Sequence, residues 1–359
     1  MLAERMNHLG TETAFEVLAR ANALEAEGRE IINLGIGQPD FQTPEHIVEA
    51  AIKALRDGHH GYTPASGIPP LRKAISDDLY RRHDVKVEPD RILAVPGGKV
   101  TMFLAMMIYG EPGCEILYPN PGFPIYESTI RFSGAKPIPI PLREQNGFAF
   151  SAEEVLSKIN ERTRLIILNS PANPTGGVVP RGEFNALIDG LCKWPEVAIM
   201  SDEIYGQMLY DNREHVSLIR YPEIIERLIL LDGWSKTYAM TGWRLGWCLT
   251  PPVLSEAYRG VHDQLVVMAP HPMQYAALTY LNLPQSYFRE TLATRYVDRL
   301  QKLARSLRRV GFEVSDPEGA YYLFAQYRGV PRLGEKAPWD AAMYMVKEVG
   351  VACVPGTNF

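Results

Sequence analysis

Lys236 and Arg244 stand eight residues apart in DGWSKTYAMTGWRLGW, directly after the apolar run Leu228–Leu231. A lysine delivered to the buried end of a strand must neutralise, pair with an anion or form a covalent bond. An amine desolvated near other cations is a good nucleophile toward aldehydes. Ser235 and Thr237 flank it, and with Arg244 they could hold a phosphate, the arginine by a bidentate contact. VAIMSDEIY ends a β-branched run in Asp202 and Glu203, with Tyr205 just beyond. A carboxylate in that place needs a partner or its pKa rises, although Ser201 or Asp202 as a helix N-cap would read the same. LNSPANPTGG sets Asn173 among prolines, where turn chemistry alone is also a sufficient reason. AVPGGKV passes from a strand through Gly97 and Gly98 into a helix. Backbone amides and the helix dipole could there meet an anion, or the glycines could serve a plain turn.

The elements that must position these groups are legible as alternating runs. ILAV (92–95), CEILYP (114–119), KPIPIPL (136–142), RLIILNSP (164–171), VAIMSDE (197–203), RLILLDG (227–233) and RLGWCLT (244–250) read as strands. Helical spacing marks 69–83, the segment after Gly98 and a stretch near 181–193. Such alternation predicts an α/β fold, a mostly parallel sheet covered on both faces, with ligands at the carboxyl ends of its strands. The later part differs. SYFRETLATRYVDRLQKLARSLRRVG (286–311) reads as one long amphipathic helix, followed by FEVSDPEGAYYLFAQY, a helix near 338–349 and VACVPG. We expect residues 36–270 to form a large domain. Residues 271–359 would form a smaller α+β domain, with the N-terminal segment 1–35 and its helix (about 11–28) packed on it.

The bulk properties narrow the partners. The chain has 359 residues, with Lys+Arg 37 against Asp+Glu 42 and a net charge of -5, so no general nucleic-acid surface is expected. Cys114, Cys192, Cys248 and Cys353 form no CxxC pair, so neither a zinc site nor a redox dithiol is expected, and reduced thiols suit the cytoplasm. The N-terminus lacks a secretory h-region, and no apolar run is long enough to span a bilayer. His59 and His60 lack a third ligand at sensible spacing, so no metal is assigned; His46 and His83 read as surface residues. AVPGGKV is not a P-loop, and LGIGQPD is not a dinucleotide fingerprint, because Pro39 stands where the helix should begin.

One ligand would use every group named so far: pyridoxal phosphate. Its aldehyde would take Lys236 as a Schiff base, and its ring nitrogen needs a carboxylate such as Asp202 to stay protonated. Its phenolic oxygen needs donors, for which Asn173 and Tyr205 qualify. Its phosphate needs amides and cations: Gly98, Lys99, Ser235 and Arg244. Its face wants an aromatic, and YPNPGFPIY offers Phe123 or Tyr126. Tyr321 and Tyr322 of GAYYLF read as core.

The sequence resembles the class I/II aminotransferases, the fold-type I enzymes that bind pyridoxal phosphate. LGIGQPDFQTP, GYTPASGIPPLR, NSPANPTG, SDEIY, SKTYAMTGWRLG, PEGAYYLF and VACVPGTNF carry the resemblance, in order, over nearly the whole chain. It implies a seven-stranded sheet and a ping-pong transamination between an amino acid and a 2-oxo acid. It implies Lys236 as the Schiff-base lysine and catalytic base, Asp202 on the pyridine nitrogen, and Asn173 and Tyr205 on the phenolic oxygen. Phe123 would stack on the ring, and Gly98, Lys99, Ser235 and Arg244 would lie on the phosphate side. Tyr62 would reach the neighbouring subunit's phosphate, which implies a homodimer with shared sites. Gly37 and Asn173 would face the substrate.

Two departures from the family pattern carry expectations. Gly233 stands where many members have a serine, removing one phosphate hydroxyl. The family continues past PGxxFG to an arginine, about ten residues on, that grips the substrate α-carboxylate. This sequence stops at Phe359, so no residue takes that role and the last helix of the small domain is expected to be missing. Losing such a contact should cost about 2–5 kcal/mol. Cofactor residues alone do not separate transamination from a C–S β-lyase or related synthase on the same fold. A non-catalytic ligand sensor is the alternative of another class, and no winged helix fits into the N-terminal segment. Lys99 could reach a second substrate carboxylate, or simply be solvated at its helix start.

Overall fold

The computed structural model describes residues 2–10 and 13–359. Its centre is a seven-stranded sheet. The strands are β1 (Ile92–Val95), β2 (Glu115–Asn120), β3 (Lys136–Pro141), β4 (Thr163–Asn169), β5 (Ala198–Asp202), β6 (Leu228–Gly233) and β7 (Gly246–Leu249). Across the sheet the order is β1-β7-β6-β5-β4-β2-β3. β7 runs antiparallel to both β1 and β6, and the other pairings are parallel. Six strands therefore end on one edge, and β7 begins there.

The strand middles are apolar because both faces are covered. Ile229 and Leu231 enter one buried cluster, and Leu228 and Leu230 the other, as the period of two requires. The helix Pro69–His83 covers one face through Leu71, Ile75 and Leu79; the helix Gly98–Tyr109 covers the other through Met102, Leu104 and Met106. β3 is the exception. Its alternating prolines donate no ladder bonds, which suits its place at the sheet's edge.

Several helices were not picked out in the sequence, among them Glu45–Arg56, Ile125–Ser133 and Ser255–Val266. The expected long helix over 286–311 is a π-helical stretch, Tyr287–Leu292, continued by the α-helix Ala293–Arg309. Likewise Pro338–Tyr344 passes into a π-helical turn, Met345–Val349. The N-terminal helix is Thr13–Ala26; positions 11 and 12 of its expected span lie outside the described residues, as does position 1. Val17, Ala21 and Leu24 of that helix pack on Val346 and Ala352, and Ile32–Asn33 pairs in parallel with Val351–Ala352. The two ends of the chain thus share a small core of their own.

Candidate active site

Asp202 is the last residue of β5, buried to 3% exposure. Its Oδ2 accepts the Tyr126 hydroxyl at 2.6 Å and its Oδ1 the Ile204 amide at 3.3 Å. Burial pushes the carboxyl up to about 6, against the pull of those two hydrogen bonds. Tyr126 is therefore a carboxylate partner, which leaves Phe123 as the aromatic of that loop available to cover a ring. Phe123 is half-buried, edge-on to Tyr126 with centroids 6.0 Å apart.

Asn169, the last residue of β4, lies opposite Asp202 in register. Its Nδ2 donates to the Asp202 carbonyl at 2.9 Å, and its Oδ1 accepts the Asn173 amide at 2.8 Å. One side chain thus fixes both the strand end and the turn that carries Asn173. The Asn173 Oδ1 is buried with no hydrogen-bond partner among the described residues. A half-turn of the same amide would present donors instead. A buried polar end of this kind calls for a ligand atom.

Lys236 follows β6 by three residues. Its Nζ donates to the Gly37 carbonyl at 2.6 Å and lies 5.8 Å from the centroid of the Tyr321 ring. The Tyr205 and Tyr322 hydroxyls are 2.6 Å apart, and burial, with the neighbouring Tyr321 and Tyr322, raises Tyr205 well above the usual phenol range. Tyr321 and Tyr322, expected in the core, do pack half-buried against it, but their hydroxyls turn to the site: that of Tyr321 meets the Gly37 carbonyl bound by the lysine, and that of Tyr322 meets Tyr205. An aromatic pair after a Gly-Ala turn carries no sequence signal separating the two roles.

The residues expected to meet an anion lie where β1 ends and β7 begins. Gly97 takes φ 94° as the cap of the helix Gly98–Tyr109. A Cβ at Gly97 would lie 2.3 Å from the Arg244 guanidinium, so only glycine lets that side chain cross the helix N-terminus. Arg244 donates to the Thr241 carbonyl at 2.9 Å and the Pro96 carbonyl at 3.3 Å. Its own left-handed backbone (φ 54°) turns the chain from the lysine loop into β7. Ser235 is buried at 9% exposure, whereas Lys99 is exposed with Nζ 5.1 Å from the Phe123 centroid. Gly233 faces Gly246 across the ladder, and a Cβ there would stand 2.9 Å from the Gly246 Cα. Close strand approach therefore excludes a side chain at the position where a serine was noted as missing. Tyr62 is 85% exposed.

A charged layer lies behind the strand ends. Glu203 accepts from His215 Nε2 at 2.6 Å, the Ser201 hydroxyl at 2.8 Å and the Leu218 amide at 3.0 Å. Burial opposes its charge, but His215 and its hydrogen bonds bring the carboxyl down to about 2. Arg82 bridges Asp78 at 3.0 Å and Asp232 at 3.2 Å. Burial, only partly offset by Arg82, raises Asp232 to about 6. His83, expected at the surface, is half-buried; burial and the adjacent Arg82 depress it to about 3.

Each group required by pyridoxal phosphate is thus present in suitable chemistry: an amine, a buried carboxylate, an unsatisfied amide and a cationic helix N-terminus opened by glycine. Asn169, which sequence reasoning missed, and Tyr126, offered there only as an alternative ring aromatic, act by holding others in place.

Comparison with known proteins agrees with this chemistry. The family profile described as aminotransferase class I and II matches residues 29–359. The chain is 34% identical over 363 residues to a probable aspartate/prephenate aminotransferase of Aquifex aeolicus, covering 100% of this chain and 91% of that one. A crystal structure of the aspartate aminotransferase from Rhizobium meliloti superposes with a TM-score of 0.92 at 33% identity, covering 100% of this chain and 91% of its own. That of the Thermus thermophilus aspartate aminotransferase with maleate gives 0.91 at 31% identity, covering 100% and 92%.

Proposed function

Because the chain belongs to the class I and II aminotransferases and exchanges amino groups between an amino acid and a 2-oxo acid, we propose that Lys236 carries pyridoxal phosphate and that the strand-end layer around it is the active site. One observation carries this reading. Lys236, Asp202, Asn173, Gly98, Phe123 and Arg244 all lie at, or in the segments next to, the same strand-end edge of one sheet, which supports a shared site. When bound, the cofactor supplies an aldehyde that takes up the amino group and a ring that accepts the electron pair freed at Cα.

The chain's own residues do the rest. The Lys236 amine takes the proton from the substrate Cα and returns it on the cofactor side, as base and then acid. Asp202 holds the proton on the ring nitrogen, oriented by Tyr126 and the Ile204 amide. Asn173 and Tyr205 would donate to the phenolic oxygen, and Phe123 would cover the ring. Gly98, Ser235 and Arg244 would hold the phosphate, with the helix dipole adding to their charge. Gly37 and Asn173 face the substrate.

Lys99 supports a finer reading, that the preferred donor is a dicarboxylic amino acid. Its exposed ammonium stands in front of Phe123. Relatives bear aspartate in their names, and one was solved with maleate, itself a dicarboxylate. The exposure of Tyr62 supports a homodimer in which it reaches the neighbouring site. The separate small core of the chain ends supports a large domain over 36–270, with 1–35 and 271–359 forming the smaller one. No helix among the described residues is long and apolar enough to cross a membrane. The cytoplasm is proposed because its reducing conditions suit four free cysteines.

A donor panel tests the reading. With 2-oxoglutarate as acceptor for aspartate and oxaloacetate as acceptor for glutamate, each should form its 2-oxo acid faster than alanine or phenylalanine does with the same acceptor. Ammonia released without any acceptor would overturn transfer in favour of elimination.

A further inference from the structure

Tyr321 lies outside the sheet, on the turn that follows Gly319 and Ala320, yet its hydroxyl donates to the Gly37 carbonyl at 2.8 Å. The same oxygen accepts from Lys236 Nζ at 2.6 Å. A carbonyl oxygen has two lone pairs, and both are engaged here. The Tyr321 ring is itself locked, stacked on Tyr296 with centroids 5.5 Å apart and 30° between planes. Gly37 is close to the adjacent tyrosine as well: a Cβ there would stand 2.8 Å from the Tyr322 hydroxyl, so a larger residue would disturb this contact. Beyond Gly37 the segment is pinned again. Arg299 pairs with Asp40, Phe41 meets the edge of Tyr296, and Thr43 donates at 2.8 Å to the Ala239 carbonyl in the lysine's own loop.

We propose that Tyr321 is a positioning residue for the proton-carrying lysine, its hydroxyl aiming the Gly37 carbonyl at the Lys236 amine. The inference rests on the role given to Lys236 above. A lysine stem is flexible and its ammonium has no directional preference of its own. An acceptor held rigidly on the substrate side gives the amine one resting place whenever it is not bonded to the cofactor. Reach and angle are then set before each proton transfer, which is where such geometry counts most. Without the Tyr321 hydroxyl the carbonyl keeps one donor and gains freedom to rotate away.

Tyr321→Phe tests this, because it removes one oxygen and keeps the stacked ring. In the cofactor-free protein, amide hydrogen exchange over residues 34–38 should quicken about 2- to 10-fold, while exchange in β5 stays unchanged. In the loaded enzyme kcat should fall by a similar factor, roughly 2- to 10-fold, with KM for the donor changed less than about 2-fold. Unchanged exchange overturns the proposal. So does faster exchange with an unaltered kcat, or a loss confined to KM. Lys236→Ala, measured beside it, separates the two readings. If that variant loses the half-reaction while Tyr321→Phe behaves as wild type, only the role of Tyr321 is refuted. If Lys236→Ala still turns over, the lysine assignment fails and this proposal falls with it.

Discussion

Asp202 is held by a phenol rather than by a cation, and this has a measurable consequence. The Tyr126 hydrogen bond lowers a carboxyl that burial has raised to about 6. Removing the hydroxyl should let the carboxyl rise further, because the charged form loses a donor. Tyr126→Phe is therefore expected to move the acid limb of the kcat/KM profile to higher pH; an unmoved or lowered limb would contradict the geometry. At Lys99 the test is selective. Truncation to alanine should cost kcat/KM for aspartate about 10- to 100-fold, the worth of a charge-assisted contact. Alanine turnover should change less than about 3-fold, and equal losses for both donors would place Lys99 on the phosphate alone.

At the scale of elements, the site exists because strand ends are shared. Asp202 and Asn169 sit side by side in register, so two loops are tied before any ligand arrives. β6 and β7 approach through the Gly233–Gly246 pair. Gly233→Ser would add a phosphate-side hydroxyl but drive its Cβ to 2.9 Å from the Gly246 Cα. The expected result is a loss of about 1–3 kcal/mol in denaturant unfolding with no gain in cofactor affinity. Unchanged stability would show that the strands part freely. The strands were legible in the sequence because burial on both faces leaves continuous apolar runs, and the chemistry at their ends stood out against them. Glu45–Arg56 and Ile125–Ser133 escaped notice because Pro44 and Pro124, together with other turn residues just upstream, read as loop. Asn169 and the carboxylate-partner role of Tyr126 were missed for a different reason. The two residues' partners are 33 and 76 residues away, and pairing over such separations leaves no local pattern.

For the whole molecule, the buried ionisable layer sets the response to acid. Glu203 sits at about 2 against an ordinary 4.5, and His83 at about 3 against 6.5. Both are depressed on folding, so their contributions are lost as pH falls, His83 below about 6.5 and Glu203 below about 4.5. Asp202 and Asp232, raised from 3.8 to about 6, act with the opposite sign and favour folding as pH drops between 6 and 4. The cofactor-free protein should accordingly show a shallow thermal midpoint from pH 6.5 to 4 and a steep fall below it. A steepest loss between pH 6 and 5 would contradict this balance. The central claim is more direct, that a single amine at the end of β6 carries the cofactor. Incubation with pyridoxal phosphate, borohydride reduction and peptide mass analysis should place one phosphopyridoxyl group on the peptide containing Lys236, and none in Lys236→Ala. Label confined to surface lysines, or retained in that variant, would contradict it.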